Sequence, residues 1–183
     1  MAIPLPIETA RLVVRSFTRA DVEPMLAVYG DPDVMRLVAG GVRSGAAAVR
    51  AELEMYARLQ DELGFSSWAV VERASGRVVG DVGLGVLEET GNVEIGWTLA
   101  RDRWGLGYAT EAAAASLASG LAHLHVPRIV AVMDVENAAS ARVAERIGMR
   151  LEGELELHGR PHLLWAATSE GRAPRQAERP GSD

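Results

Sequence analysis

The amino-acid sequence predicts one α/β domain, with a mixed, mostly antiparallel central sheet of about seven strands flanked by about four helices. Segments rich in strand formers alternate along the chain with segments that have helical apolar spacing. Three strand-like segments near the middle follow one another across short polar turns, which is typical of an antiparallel meander. A chain of 183 residues is also the size of one domain. We expect this domain to span residues 1–168.

The first third of the chain predicts one strand and two helices. Residues 10–17, ARLVVRSF, are rich in strand formers, and residues 18–29 have the cap residue and apolar spacing of a helix. Residues 30–45 contain a proline and several glycines and are expected to form a loop. Residues 46–63 again have helical character, and Gly64 is expected to end that helix.

The meander is predicted from three consecutive segments. WAVVER and GRVVGDVGLGVLE are joined by a short polar turn at residues 74–76, which favours a hairpin. GNVEIGWTLA, residues 91–100, predicts the third strand, with Gly91 and Asn92 in the turn that reverses the chain. The three strands are therefore expected to lie side by side and antiparallel.

The second half of the chain predicts two helices and three strands. A helix of about 17 residues follows the meander and is expected to end at Pro127. Residues 128–135, RIVAVMDV, predict a strand, and residues 138–148 predict a helix. The last two strands are predicted at residues 149–157 and 162–168.

Composition narrows the function classes. The net charge of -6 argues against a nucleic-acid-binding surface, which is normally basic, and suits cationic small molecules or basic peptides. The absence of cysteine excludes a disulfide, a thiolate metal site and a cysteine nucleophile. The four histidines form no convincing metal set, and no metal is expected. His158 and His162 are interpreted as exposed turn residues, with a place in an acceptor site as the alternative.

Localisation and the end of the chain are also predicted from composition. No apolar run approaches the roughly 20 residues that a membrane span needs. The first residues, MAIPLPIETA, lack a basic region followed by an apolar one, so a cytoplasmic location is expected. Residues 169–183 are polar and contain prolines, which favours a disordered tail.

A glycine-rich loop precedes the long helix, in the segment RDRWGLGYATEAAAASLASGL. A dinucleotide-binding motif would need a glycine at Thr110 and a preceding parallel strand, and is disfavoured. Gly105 and Gly107 allow a tight bend that brings backbone amides together at the helix start, a site suited to a pyrophosphate. The amides in question are those of Leu106, Gly107, Tyr108, Ala109 and Thr110. The alternative is a turn that only caps a buried helix.

Four segments together match one known family in order and spacing. They are ETARLVVRSFTRAD, GRVVGDVGL, NVEIGWTLARDRWGLGYATEA and VENAASARVAERIGMRLEG. Over residues 8–168 the chain resembles the Gcn5-related N-acetyltransferase superfamily, and within it the ribosomal-protein N-terminal acetyltransferases and their relatives. The resemblance implies acetyl-coenzyme A as co-substrate, with its pyrophosphate on the loop amides. The first motif position, usually glutamine or arginine in the superfamily, is Trp104 here, and this subgroup often carries an aromatic residue there.

The resemblance also implies that the third meander strand diverges from the strand that contains Ile129. The pantetheine arm of coenzyme A would enter that gap as an added strand and pair with free backbone groups of Thr98, Leu99 and Ala100. Asn137, at the start of the next helix, would cap that helix and touch the arm. Residues 31–45 resemble the region that shapes the acceptor pocket in related enzymes.

Acetyl transfer to an amine needs a neutral nucleophile, yet amines with pKa values between about 8 and 10.4 are mostly protonated at pH 7. Glu94 lies where similar acetyltransferases place a catalytic glutamate, and strand alternation puts it on the same face as Gly96 and Thr98. Partial burial would raise its pKa into the range of a general base. The alternative is a solvated strand glutamate.

Two further roles complete the predicted chemistry. A backbone amide near Leu99 would stabilise the tetrahedral oxyanion. Many relatives supply a tyrosine that protonates the departing thiolate, and this chain has Ala144 at the corresponding position. Ser140 is the predicted substitute, with plain packing as the alternative.

The sequence therefore predicts an N-acetyltransferase that acts by direct transfer in a ternary complex, as a monomer or homodimer. The acceptor is expected to be a primary amine, either of a protein N-terminus or of a small molecule. The competing class is a non-catalytic domain that binds acyl-coenzyme A as a sensor or interaction module, and the missing tyrosine keeps that class open.

Overall fold

The computed structural model describes residues 2–157 and 159–169. Within them the chain forms one open mixed sheet of eight strands, with five helices against it. The predicted single α/β domain is confirmed, with one more strand and one more helix than expected. His158 and residues 170–183 of the predicted tail lie outside the described part of the chain.

The helices and strands have the following bounds. The strands are β1 (Ile7–Glu8), β2 (Leu12–Arg15), β3 (Ser67–Glu72), β4 (Val78–Leu87), β5 (Asn92–Leu99), β6 (Arg128–Asp134), β7 (Arg150–Leu157) and β8 (Arg160–Thr168). The helices are α1 (Val22–Tyr29), α2 (Pro32–Met35), α3 (Ala46–Leu63), α4 (Tyr108–His123) and α5 (Ala138–Arg146).

The strand order is β1-β2-β3-β4-β5-β6-β8-β7. The neighbours pair antiparallel except β5 and β6, which run parallel. The parallel pairing covers only two residue pairs, Val93 with Ile129 and Glu94 with Val130, although both strands continue beyond it. The predicted divergence of these two strands is therefore observed, and it leaves a gap in the middle of the sheet.

Helices cover both faces of the sheet. On one face, α4 and α5 pack with the strands around a buried cluster that includes Val82, Ile95, Leu117, Ile129 and Ala144. On the other face, α1 and α3 form a second cluster that includes Met25, Val49, Leu53 and Ala69. Because successive strand residues point to opposite faces, Ile95 and Leu99 of β5 belong to the first cluster. Glu94 and Thr98 consequently face the side of α1 and α3.

Three local predictions need correction. The region expected to be a loop contains α2, in which Pro32 occupies the first turn and the Asp31 carboxylate caps the amide of Asp33 at 2.8 Å. Four residues are too few to show helical periodicity. The long helix ends at His123 rather than at Pro127, because Leu124 turns to an extended conformation and packs against the core. The two-residue strand β1 was too short to predict.

Candidate active site

The glycine-rich loop ends in an uncapped helix N-terminus. Gly105 and Gly107 have φ angles of +75° and +79°, a left-handed conformation that explains the need for glycine. Gly107 precedes α4 and supplies no capping side chain. The Glu111 amide donates to the Gly107 carbonyl at 3.0 Å, so the amides of Tyr108, Ala109 and Thr110 precede the helical hydrogen-bond ladder. These amides form the kind of cradle that binds an anion.

Glu111 fixes this cradle to the edge of the sheet. Its carboxylate accepts hydrogen bonds from the Thr9 hydroxyl at 2.6 Å and from the Arg11 amide at 2.8 Å. The Arg11 guanidinium donates to the same carboxylate at 2.6 Å and to the Leu106 carbonyl at 2.9 Å. Arg11 also lies 4.7 Å above the Tyr108 ring centre. Glu111 thus holds the loop in place and does not enter the cavity beside it.

A cavity of about 390 Å³ opens beside the cradle, between the end of β5 and α5. Its lining includes the loop residues from Gly105 to Thr110 except Leu106, which is exposed. Four arginines contribute to its wall: Arg36, Arg103, Arg142 and Arg146. Two carboxylates, Asp33 and Glu136, also line the cavity, so its wall carries more positive than negative side chains, which suits a phosphate-bearing ligand. We call this space the cradle cavity.

The strand register corrects the prediction for the backbone of β5. The Ala100 amide donates to the Val79 carbonyl at 2.8 Å, and Thr98 pairs directly opposite Asp81 of β4. Backbone groups alternate in direction along an antiparallel strand, so those of Thr98 face β4 as well. The groups that face the gap are those of Trp97 and Leu99. Thr98 and Ala100 are therefore not free to pair with an added strand.

Trp104 modifies this edge further. Its indole nitrogen donates to the Leu99 carbonyl at 2.8 Å, although half of the residue remains exposed. The Leu99 amide is left facing the gap, in agreement with the predicted donor near that residue. Trp104 occupies the position where the superfamily usually has a glutamine or arginine. Its hydrogen bond to Leu99 therefore stabilises the end of β5.

Glu94 lies where β5 and β6 separate. It is half-buried, and its carboxylate accepts a hydrogen bond from the amide of Val132, two residues beyond the last paired residue of β6. Burial raises the pKa of Glu94 to about 7, against the lowering effect of the Val132 hydrogen bond. A carboxylate with this pKa is suited to accept a proton near neutral pH. This environment differs from that of a solvated strand glutamate.

A second cavity, of about 250 Å³, lies on the Glu94 side of the sheet. We call it the carboxylate cavity because Glu52, Asp81 and Glu94 all line it. Six residues line both cavities: Leu37, Val38, Trp97, Thr98, Asn137 and Ser140. The two cavities thus adjoin at the divergent end of β5 and the start of α5.

The start of α5 brings two predicted residues to this junction. The Asn137 side chain accepts a hydrogen bond from the Ser140 amide at 3.1 Å, which confirms its predicted capping role. Ser140 is half-buried and lines both cavities, together with Asn137. Ala144, at the position where many relatives carry a tyrosine, is fully buried in the core. Ser140 therefore places a hydroxyl group of α5 at the junction of the two cavities.

Sequence reasoning missed Asp81. This residue is 6% exposed, and its Oδ1 atom is buried without a hydrogen-bond partner among the described residues. Burial raises the pKa of Asp81 to about 7, while hydrogen bonds from Thr98 and Tyr29 oppose the increase. The signal was present in GRVVGDVGLG, where one carboxylate interrupts an apolar strand, since a charged residue is rarely buried without a partner.

The loop predicted to shape an acceptor pocket does line the carboxylate cavity. Met35, Leu37, Val38, Ala39 and Arg43 come from it. Arg43 binds Glu52 of α3 at 2.9 Å and donates to the carbonyls of Ala39 and Gly41. The Tyr56 hydroxyl donates to the same Glu52 carboxylate at 2.9 Å. These bonds fix the loop against α3, so the cavity wall is held in place.

Replacing Asp81 by Asn is expected to stabilise the fold at pH 8. A carboxyl whose pKa is raised on folding binds its proton more tightly in the folded state, so its ionisation removes stability as pH rises from about 4 to about 7. Asp81→Asn abolishes that loss, which predicts a gain on the order of 2–4 kcal/mol at pH 8 and little change near pH 4.5. Urea unfolding at the two pH values measures both numbers.

The control for that measurement is Asp102→Asn. Arg77 lowers the pKa of exposed Asp102, so its ionised form is favoured by folding and its replacement gives no gain at pH 8. Destabilisation by Asp81→Asn at pH 8 would contradict the assignment of a buried carboxylate whose ionisation is disfavoured by folding.

Within the part of the chain that the structure describes, the histidines and the helices add no further site. Among residues 2–157 and 159–169, no group of three or more metal-binding side chains is arranged around a common point. His162 lies on β8 with its ring bonded to the Arg160 carbonyl, and it lines neither cavity. His125 lies beyond the end of α4 rather than on the helix. No helix in the described part of the chain is long and apolar enough to cross a membrane.

The sheet is opened between two parallel strands. An anion cradle lies on one side of this opening, and a half-buried carboxylate lies on the other. This arrangement is that of an acetyltransferase domain of the Gcn5-related type. The chain belongs to the acetyltransferase (GNAT) domain family, whose model matches residues 11–150. Several Bacillus relatives are named as N-acetyltransferases. The protein is accordingly an N-acetyltransferase of this family.

Individual comparisons agree with this assignment. The uncharacterised protein YkkB of Bacillus subtilis is 31% identical over 144 residues, which cover 78% of this chain and 83% of the relative. The crystal structure of a GNAT-family acetyltransferase from Bacillus anthracis has a TM-score of 0.79 at 27% identity, over 91% of this chain and 99% of that one. RimL, a ribosomal L7/L12 α-N-protein acetyltransferase solved with coenzyme A, has a TM-score of 0.76 at 17% identity, over 94% and 100%. At that identity the likeness to RimL concerns the fold alone.

Proposed function

We propose that the protein transfers an acetyl group from acetyl-coenzyme A to a primary amine by direct attack in a ternary complex. The observation that carries the proposal is the junction of the two cavities at the divergent end of β5. One cavity offers backbone amides and arginines to phosphates, and the other offers a carboxylate with a raised pKa to an amine. A donor and an acceptor bound in these cavities would meet between Leu99, Glu94 and Ser140.

The cofactor is proposed to bind along the cradle cavity. Its pyrophosphate would accept hydrogen bonds from the amides between Gly105 and Thr110, where the helix dipole favours negative charge. The pantetheine arm would lie in the gap beside β5 and pair with the backbone of Trp97 and the amide of Leu99. Asn137 would contact the arm from α5. Membership of the acetyltransferase (GNAT) domain family supports this cofactor class.

Transfer is proposed to proceed in two steps. The amine loses a proton to Glu94, directly or through a water, and its nitrogen attacks the thioester carbonyl carbon to give a tetrahedral oxyanion. The Leu99 amide stabilises that oxyanion. The intermediate then collapses and the carbon–sulfur bond breaks. Ser140 passes a proton to the thiolate, directly or through a water, and regains one from the acetylated nitrogen, while Glu94 releases its proton to solvent. The products are the N-acetylated amine and coenzyme A.

A second candidate function is a sensor that binds acyl-coenzyme A without turnover. Fully buried Ala144 favours it, since the position usually occupied by the proton-donating tyrosine holds a core side chain. The acceptor of the catalytic alternative is the primary amine of a protein N-terminus or of a small molecule.

Acetyl-coenzyme A is expected to stabilise the folded protein. At 100 times its dissociation constant a ligand stabilises the native state by about 2.7 kcal/mol, which thermal unfolding resolves clearly. NAD serves as the control ligand and is expected to give no shift. A folded protein with no shift from acetyl-coenzyme A would contradict cofactor binding for both candidate functions.

Two glycine variants connect the shift to the loop. Gly107→Val and Gly91→Val each place a branched side chain at a left-handed position, with φ angles of +79° and +69°, so both carry similar backbone strain. Only Gly107 belongs to the cradle, whereas Gly91 lies in the turn between β4 and β5. We expect the thermal shift with acetyl-coenzyme A to be lost in Gly107→Val and kept in Gly91→Val. If both variants keep the shift equally, the loop is not the pyrophosphate site.

A further inference from the structure

We infer that the carboxylate cavity takes a small acceptor with two cationic groups, in which Asp81 holds the second cation while the reacting amine faces Glu94. This inference rests on the proposed transfer to an amine and specifies the class of acceptor. It assigns to Asp81 a role in recognition rather than in the chemical step.

The first observation is the unsatisfied carboxylate itself. Asp81 lines the cavity, is 6% exposed, and has an Oδ1 atom without a hydrogen-bond partner in the described structure. An isolated buried carboxylate is unfavourable unless it is paired or hydrogen-bonded. A ligand ammonium donates up to three hydrogen bonds and carries the opposite charge, so it would satisfy this atom.

The second observation is that Asp81 forms no salt bridge with a protein cation among the described residues, although the charge of Arg43 favours its ionised form. Arg43 is the cation that lines this cavity, and its guanidinium is engaged by both carboxylate oxygens of Glu52 and by two loop carbonyls. Tyr29 and Tyr56 supply hydroxyls that remain neutral, because burial raises the pKa of each. Glu52 is balanced by Arg43, which leaves Asp81 and Glu94 as the two carboxylates available to a ligand.

The third observation is the spacing of these two carboxylates. Asp81 pairs opposite Thr98, and Glu94 lies four residues before Thr98 on the same face of β5. The strand rise of roughly 3.3 Å per residue puts their backbone positions about 13 Å apart. Both side chains line one cavity of about 250 Å³, so their ends approach a common space. A short alkyl chain with an amine at each end would bridge two carboxylates at the ends of such a space.

The size and the walls of the cavity agree with such a ligand. Its volume of about 250 Å³ is smaller than the roughly 300–1,000 Å³ of sites for drug-sized molecules. Met35, Val38 and Trp97 contribute apolar surface to the same cavity. An alkyl chain would pack against these apolar side chains. A longer acceptor with a polar backbone would place its polar groups against the same apolar surface, which is unfavourable.

The test compares 1,4-diaminobutane with butylamine as acceptors, in the wild type, Asp81→Asn and Asp61→Asn. The wild type is expected to prefer the diamine, expressed as the ratio of the two kcat/KM values. Asp81→Asn should lower that ratio about 10- to 100-fold through the KM of the diamine, since a hydrogen-bonded charge is lost. Asp61→Asn, an exposed change on α3, should leave the ratio as it is. Equal losses for both amines in Asp81→Asn would reduce Asp81 to a packing residue and overturn the inference.

Calorimetric titration of 1,4-diaminobutane into the coenzyme A complex separates this inference from the proposed function. Binding by the wild type and not by Asp81→Asn supports the cavity assignment even in the absence of turnover. Absence of diamine binding by a wild-type protein that binds coenzyme A overturns it. Acetylation of an N-terminal peptide, with no binding of the diamine, would identify the acceptor as a protein N-terminus and would leave the transfer mechanism standing.

Discussion

Glu94→Gln is expected to lower kcat by roughly 10²- to 10⁴-fold, the usual contribution of a positioned general base. The neutral amide keeps the size of the side chain and is unable to take the proton of the attacking amine. Acetyl-coenzyme A is proposed to bind mainly in the cradle cavity, which Glu94 does not line, so its affinity should change little. Steady-state turnover of an amine acceptor and the thermal shift with acetyl-coenzyme A measure the two effects separately.

The pH dependence of kcat/KM tests whether Glu94 is the general base. Burial raises the pKa of Glu94 to about 7, and the base must be ionised to act, so kcat/KM of the wild type should fall as pH drops below about 7. The break near pH 7 should be absent from the residual activity of Glu94→Gln, which should fall with decreasing pH only as the amine itself becomes protonated. Glu89→Gln is the matched control, because Glu89 lies in the nearby turn and affects Glu94 only by its charge. Full turnover in Glu94→Gln would mean that another group accepts the proton.

Local sequence patterns predicted those parts of the site that depend on local backbone conformation. Glycines at 105 and 107 indicated a bend before a helix, and both adopt left-handed conformations there. Asn137 was expected to cap the next helix, and it does so within three residues of chain. Such features depend only on residues that are close together along the chain, so they can be predicted from the sequence. Glu94 was found through its strand position and the family resemblance.

Features that depend on distant parts of the chain were not predictable in this way. Asp81 faces Tyr29 and Glu52, which belong to helices far from β4 in sequence, so its isolation appears only after folding. The direction of the β5 backbone groups depends on the register against β4, and one residue of shift reverses them. That register turned Thr98 and Ala100 toward β4, contrary to expectation. Trp104 likewise reached the Leu99 carbonyl across a turn that local patterns do not define.

Gly80→Ala is expected to destabilise the fold strongly, because β5 approaches the backbone of β4 closely at Gly80. A Cβ atom at this position would lie 2.1 Å from the Thr98 carbonyl oxygen and 2.8 Å from the Leu99 Cα, and its φ angle of +150° is unfavourable for alanine. Both contacts are with backbone, which is unable to move aside without displacing β5. The expected loss is about 4 kcal/mol or more, a large part of the stability of a typical domain.

Gly85→Ala is the matched control on the same strand, since no atom lies within 4 Å of its added Cβ. Alanine there should be neutral or stabilise the fold by up to about 1 kcal/mol. Urea unfolding measures both variants, and acetyl-coenzyme A binding at low temperature tests what remains folded. Because Gly80 lies opposite Leu99, its displacement should weaken cofactor binding in addition to stability. If the two variants have equal free energies of unfolding, β5 can shift against β4 without loss of stability. The assignment of the Leu99 amide to the gap would then be wrong.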